Sequence, residues 1–230
     1  METLILHRVT IEALSAAFFA AGYNNESCTS LPVPPPSAIQ GLVAAAVGDP
    51  NLQNFVAGWQ FRFSSIYKDY EQLVPARRSL KETAKETDVE PWRDGYRAKR
   101  TPVSRSYLIE PRLYLYLDAK LACAFRAPFY TLRLGRTQDL AWVSAIDEIQ
   151  VSKVDEAVIE GVVTPFPPPD GCSITMLWGV PATSFGYGER QWQKPAPYAF
   201  VRDKNHCRGL KKREFYLDAE QNRAFPMHQL

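Results

Sequence analysis

Apolar and polar residues alternate along the first stretch of the 230-residue chain, with Leu4, Leu6, Arg8 and Thr10 on one side and Ile5, His7, Val9 and Ile11 on the other. A period of two is the mark of a strand, and apolar groups on both sides predict one buried on both faces. After the proline stack Pro34 to Pro36 the period changes. Ile39, Leu42, Val43 and Ala46 recur at helical spacing, which predicts a helix from about Ala38 to Val47. Ser37 followed by Gln40 has the spacing of a capping box, and Gly48 is placed for a left-handed stop. Gly41 inside this helix costs about 1 kcal/mol relative to alanine. Its neighbours on the helix face, Ala38, Ala44 and Ala45, are also small, so close approach of another backbone is expected there.

Alternation returns at Trp59 to Ile66 as a second strand. From Tyr67 to about Arg105 the chain is polar, charged and aromatic without a sustained period, a long insertion of the kind that is usually functional. In RLYLYLDAKLACAF, Leu113, Leu115 and Leu117 face one way and Tyr114, Tyr116 and Asp118 the other, as in a strand. A short helix is predicted at Pro128 to Leu132, a tight turn at Gly135, and a further strand at Ala145 to Val154. Strand, helix, strand, strand, short helix, strand is the order of an α+β, ferredoxin-like (RRM-like) domain. The domain is expected over residues 1–163, with a thumb insertion at about 67–106. Thr164 to Gly171 (TPFPPPDG) is a stiff connection. The short apolar runs after it predict a small β-rich C-terminal region over 164–230.

A hydrophobic content of 46% suffices for a sizeable core. Cys28, Cys123, Cys172 and Cys207 are far apart with no C-x-x-C, which argues against a zinc site or a disulfide framework and points to a reducing cytoplasm. No apolar stretch approaches the 18 residues or so of a membrane span. Catalytic signatures are missing too: His7, His206 and His228 belong to no metal or nucleophile motif, and no phosphate-binding P-loop is present. Asp147 and Glu148 are adjacent on a strand and so point to opposite faces. Neither a metal, a cofactor nor a catalytic group is expected.

The net charge is only +2, but it is unevenly placed. Between Pro91 and Arg112 stand Arg93, Arg97, Lys99, Arg100, Arg105 and Arg112 against Asp94 and Glu110. Between Arg202 and Arg213, six cations face Asp203 alone. These two runs hold a surplus of nine charges, so the remainder of the chain carries a deficit of seven. Trp92, Tyr96 and Tyr107 interleave with the first run. Cations on phosphates with rings against bases is how single strands are held. A solvated hairpin with aromatics packed at its base remains the alternative. Tyr114 and Tyr116 could stack bases as in RNA-recognition folds, or lie buried under a helix or at a subunit contact. RLGRTQDL places Gly135 and Arg136 in a turn whose N–H groups could form an anion nest.

Taken in order, these motifs resemble the CRISPR-associated family-five proteins, RAMP-superfamily subunits of type I Cascade complexes. LPVPPPSAIQGLVAAAVG resembles the family's helix start, matched by Pro35, Pro36, Ser37, Gly41 and Leu42. RTPVSRSYLIEPRLYLYL looks like its return strand after the thumb, and LRLGRTQDLAWV like its L-G-R-[ST] turn at Leu134, Gly135, Arg136 and Thr137. The resemblance covers roughly residues 1–150. It implies a subunit that caps the 5′ handle of the crRNA and contacts the Cascade backbone and large subunits, with target DNA engaged indirectly. The implied RNA contacts are Ser37, Gln40, Gly135 and Arg136, the thumb residues Trp92, Arg97, Lys99, Arg100 and Arg105, and Arg77 and Arg78. One branch of the family cleaves precursor crRNA with a tyrosine, lysine and histidine cluster. This chain has no Lys-His pair at the thumb's return, so a noncatalytic, RNA-binding role is expected, with a metal-independent endoribonuclease as the alternative. A third reading is a protein-interaction scaffold whose basic runs meet an acidic partner.

Overall fold

The computed structural model describes residues 3–18, 27–73, 101–180, 183–185, 190–192 and 196–230. The chain opens with β1 (Thr3–Ala13), β2 (Ser15–Ala16) and β3 (Ser27–Cys28), then helix α1 (Pro36–Val47). β4 (Val56–Arg62), β5 (Ser65–Leu73), β6 (Thr101–Ile109) and β7 (Arg112–Leu117) lead to helix α2 (Ala119–Ala124). β8 (Ala141–Lys153), β9 (Glu156–Ile159), β10 (Val162–Pro165), β11 (Met176–Val180), β12 (Thr183–Phe185) and β13 (Arg190–Trp192) follow. β14 (Ala196–Val201), β15 (Asn205–Arg208), β16 (Phe215–Asp218) and β17 (Arg223–Gln229) complete the chain. It is a mostly β protein with two α-helices among the described residues.

The main sheet has the order β15-β9-β17-β16-β8-β1-β7-β4. Within it β8, β1, β7 and β4 are antiparallel neighbours, with β1 at the centre as its two-sided burial predicts. β17 also pairs with β4, Met227 opposite Gly58, so six strands close into a barrel-like ring. Gly58 permits this closure: a Cβ there would lie 2.5 Å from the Phe225 ring. The last strands β15, β16 and β17 thus belong to the main sheet. Of the strands after the connection at 164–171 and the one leading into it, β10, β14 and β11 form a separate three-stranded sheet and β12 with β13 a two-stranded one.

Closure gives β7 two cores. Leu113, Leu115 and Leu117 pack with Ile39, Leu42 and Val43 of α1. Tyr114 and Tyr116 pack on the other side with Phe215 and Phe225. Tyr116 is stacked on Phe225 at 3.7 Å and is fully buried, so neither tyrosine offers the open sheet face that base stacking requires. The Tyr116 hydroxyl donates to the buried Asp218, which also accepts from Arg8 at 2.9 Å. Arg8 reaches Glu220 and Asp147 as well, tying β1 to the C-terminal hairpin. Burial opposes the Arg8 charge, but Glu220, Asp218 and Asp147 together raise its pKa.

Three local expectations are corrected. The second helix lies at Ala119–Ala124, where a continued strand was expected, and not at Pro128 to Leu132. Asp118 caps it by accepting from the Leu121 N–H, and the A-K-L-A-C-A run consists mainly of good helix formers. Residues Phe129 and Tyr130 instead donate their N–H groups to Ala46 and Ala45, satisfying the orphan carbonyls of α1. The second strand is two: β4 ends at Arg62, and β5 turns away to pair with β6 along its whole length. The stem of the insertion is thus a regular ribbon. Third, α1 has no capping box. Its N-cap is Pro35, with Pro36 at the first turn, where a missing N–H is harmless. Gly48 does stop the helix in the left-handed conformation, at φ +85°.

Candidate nucleic-acid interface

The turn after Leu134 is shaped by two residues. Gly135 has φ +111°, and a Cβ there would meet the Ala17 carbonyl oxygen at 1.9 Å, so only glycine lets the turn lie against the chain leaving β2. Arg136 is held by Asp139. Its backbone N–H donates to Oδ2 at 3.0 Å, Nε to Oδ2 at 2.9 Å and Nη2 to Oδ1 at 2.7 Å. Ser15 Oγ adds a fourth bond to Oδ1 at 2.6 Å. Burial pushes the Asp139 carboxyl up, yet Arg136 and Ser15 outweigh it and hold the pKa below its ordinary value. The chain's own Asp139 thus lies within this turn as an anion bound by Arg136. Of the N–H groups expected to form a nest, that of Arg136 is thus taken by Asp139, three residues further on.

The turn is also fastened to the insertion's stem. The Arg136 guanidinium lies 3.9 Å over the Tyr107 ring on β6. One residue earlier, Ser106 Oγ accepts from the Ser30 N–H at 2.8 Å, and Ser30 Oγ accepts from Phe18. Arg105 stands half-buried on the same strand, opposite Asp69. Stem, turn and the chain leading to α1 are thus joined.

At the helix start, Pro34 accepts from Trp59 Nε1 at 3.1 Å, and the Pro35 carbonyl accepts from Ala38 and Ile39. Ser37 is half-buried in the first turn of the helix. Gln40 is buried and donates from Nε2 to the Leu52 carbonyl, so its amide braces the loop after α1. No described atom lies within 4 Å of the position a Cβ on Gly41 would take, so the expected close approach is not made by the described residues. Arg77, Arg78, Trp92, Arg97, Lys99 and Arg100 lie outside the described residues.

The histidines are dispersed. His7 is 3.8 Å from Glu148, His206 is exposed beside Glu156, and His228 is buried against Trp59 with Nε2 2.9 Å from the Val163 carbonyl. Among the described residues no cluster of His, Cys, Asp or Glu could hold a metal ion, and no helix is long and apolar enough to cross a membrane. The second basic run is partly neutralised. Arg208, Lys212 and Arg213 line a cleft of about 510 Å³, but Asp155 and Asp170 line it too, and Arg208 is paired with Glu156. Asp139 and Ser15 are the residues that sequence reasoning missed. The signal for Asp139 was its position within LGRTQD, three residues after Arg136.

A family model described as CRISPR-associated protein (Cas_Cas5) matches residues 15–190. The chain belongs to this family. No curated protein matches it. Among solved structures, a chain of the Type III-B Cmr-beta complex bound to cognate target RNA and AMPPnP is similar at a TM-score of 0.51 and 12% identity, over 86% of each chain. That likeness speaks for the fold of this Cas_Cas5 family member. A chain of a CRISPR RNA-guided surveillance complex has a TM-score of 0.47 and 15% identity, over 90% of this chain and 91% of that one. A CRISPR protein from Archaeoglobus fulgidus has a TM-score of 0.44 and 13% identity, over 99% and 100%.

Proposed function

We propose that this family member is a noncatalytic subunit of a type I CRISPR Cascade effector that binds and caps the 5′ handle of the crRNA and joins the backbone and large subunits. In this reading the β8-β1-β7-β4 order, with α1 and α2 in the two crossovers, is the ferredoxin-like unit, and β5 with β6 is the stem of its thumb. One observation carries the proposal. The Arg136–Tyr107 and Ser30–Ser106 contacts join the turn, the thumb stem and the chain running into α1, which supports a common surface for the elements that carry Arg105, Gly135, Arg136 and Ser37. Ser37, Arg105, Gly135 and Arg136 are the described members of that surface. Arg136 shapes the turn through the bonds that its Nε and Nη2 donate to Asp139.

The test uses the complex assembled with its guide. The handle should be protected from nucleases, and the protection should weaken when Arg97, Lys99, Arg100 and Arg105 are changed to glutamine. Each lost phosphate contact should reduce the slope of log affinity against log salt by about 0.7. An unchanged slope with an unprotected handle refutes the proposal. Incubating the chain with precursor RNA without metal separates the endoribonuclease reading, which requires a single cut within the repeat.

A further inference from the structure

The tyrosine face of the main sheet is layered in register. Gly58, Tyr116 and Arg8 form one row across β4, β7 and β1, Gln60, Tyr114 and Thr10 the next, and Arg62, Arg112 and Glu12 the last. The second row is buried. The last contains two arginines for one carboxylate, and Glu12 is taken by Arg112, whose Nε lies 2.8 Å away. A hydrogen bond with Tyr114 and then Glu12 raise the Arg112 pKa, although burial works against it.

Arg62 has no such partner. Its guanidinium sits over the Tyr114 ring at 5.6 Å, with Nε and Nη2 shielded from solvent and no hydrogen bond or ion pair among the described residues. Gln60 Oε1, one row deeper, likewise has no partner among the described residues. Shielded, unsatisfied donors on a charged group are costly and call for an acceptor that the described residues do not supply. A guanidinium fork matches the paired oxygens of phosphate, and the Tyr114 ring lies beneath it. Arg62 ends β4 and Arg112 begins β7, so the pair flanks the points where the thumb insertion leaves and rejoins the sheet.

We propose that Arg62 and Arg112, on the floor formed by Tyr114, are a phosphate-binding site for a nucleic-acid phosphodiester. The site rests on the function proposed above for the source of the phosphate only. The full chain is titrated with fluorescent single-stranded RNA of the guide's 5′ sequence, and in parallel with DNA of that sequence. The variants are R62Q, R62K and R112Q. R62Q should lower the salt slope by about 0.7 and R62K should retain it; the nucleic acid whose slope responds identifies the source. Inorganic phosphate should raise the melting temperature of the parent chain and not that of R62Q. If the parent binds RNA with a slope that R62Q leaves unchanged, the site is refuted and the handle reading stands. If neither nucleic acid binds but phosphate protection depends on Arg62, the anion site stands and the phosphodiester assignment falls, together with the handle reading. Loss of phosphate protection in both chains, with R62Q at least as stable as the parent, would mean that water or Gln60 satisfies Arg62.

Discussion

Replacing Asp139 with asparagine tests the reading of the turn as a self-filled anion site. Asp139 is almost wholly buried and accepts four hydrogen bonds, three from Arg136 and one from Ser15. Removing one partner of a buried ion pair typically costs about 3–5 kcal/mol. Arg136 keeps 17% side-chain exposure and its seat over Tyr107, so the loss belongs at the lower end, about 3 kcal/mol. In a chain of this size that corresponds to a drop of roughly 6–12 °C in melting temperature. The assay is thermal and urea unfolding at pH 7 of Asp139→Asn, Arg136→Gln and the double variant. The double variant should lose much less than the two single losses added, because the pair is one interaction. The pH dependence has a definite sign. The folded carboxyl lies below its ordinary value, so the stabilisation is complete above about pH 4 and is lost as pH falls through the folded pKa. The parent and Asp139→Asn should therefore converge in acid. A loss under about 0.5 kcal/mol at pH 7 would put the variant among ordinary surface changes and refute the assignment.

Other outcomes follow from the same geometry. Gly135→Ala places a methyl on the Ala17 carbonyl at a positive φ and should cost about 3 kcal/mol or more, read as a collapse in soluble yield and melting temperature. Gly41→Ala should do the reverse, raising stability by about 1 kcal/mol in urea unfolding, because its face is open and alanine is the better helix former. A destabilised Gly41→Ala would contradict the open face. Burial, against the pull of the Val163 carbonyl, lowers the His228 pKa to about 4. Stability should then be level above pH 6.5 and fall below it, by up to about 3 kcal/mol at pH 4. His228→Phe should remove that slope, and equal pH dependence in the two chains would exclude a neutral buried imidazole.

How far the chain could be read without coordinates depended on whether a feature was local. The two-sided burial of β1, the apolar stripe of α1, its stop at Gly48 and the leucine and tyrosine faces of β7 each follow from spacing within a dozen residues. Where local signals competed, the reading failed. Ser37 and Gln40 fit a capping box, but Pro36 took the first helical position and Gln40 turned to Leu52. The tract after Leu117 reads as a continued strand until Asp118 caps a helix there.

By itself the amino-acid order determined β1, α1, β7 and the family, since periodicity, turn residues and motif order are properties of neighbours along the chain. Only the tertiary structure decided that β17 meets β4 and closes the sheet over Tyr114 and Tyr116. It alone decided that Asp139 occupies the turn and that Arg62 has no acceptor among the described residues. The reason is physical: pairing, burial and charge neutralisation depend on which distant segments become neighbours, and spacing along one chain does not encode that proximity.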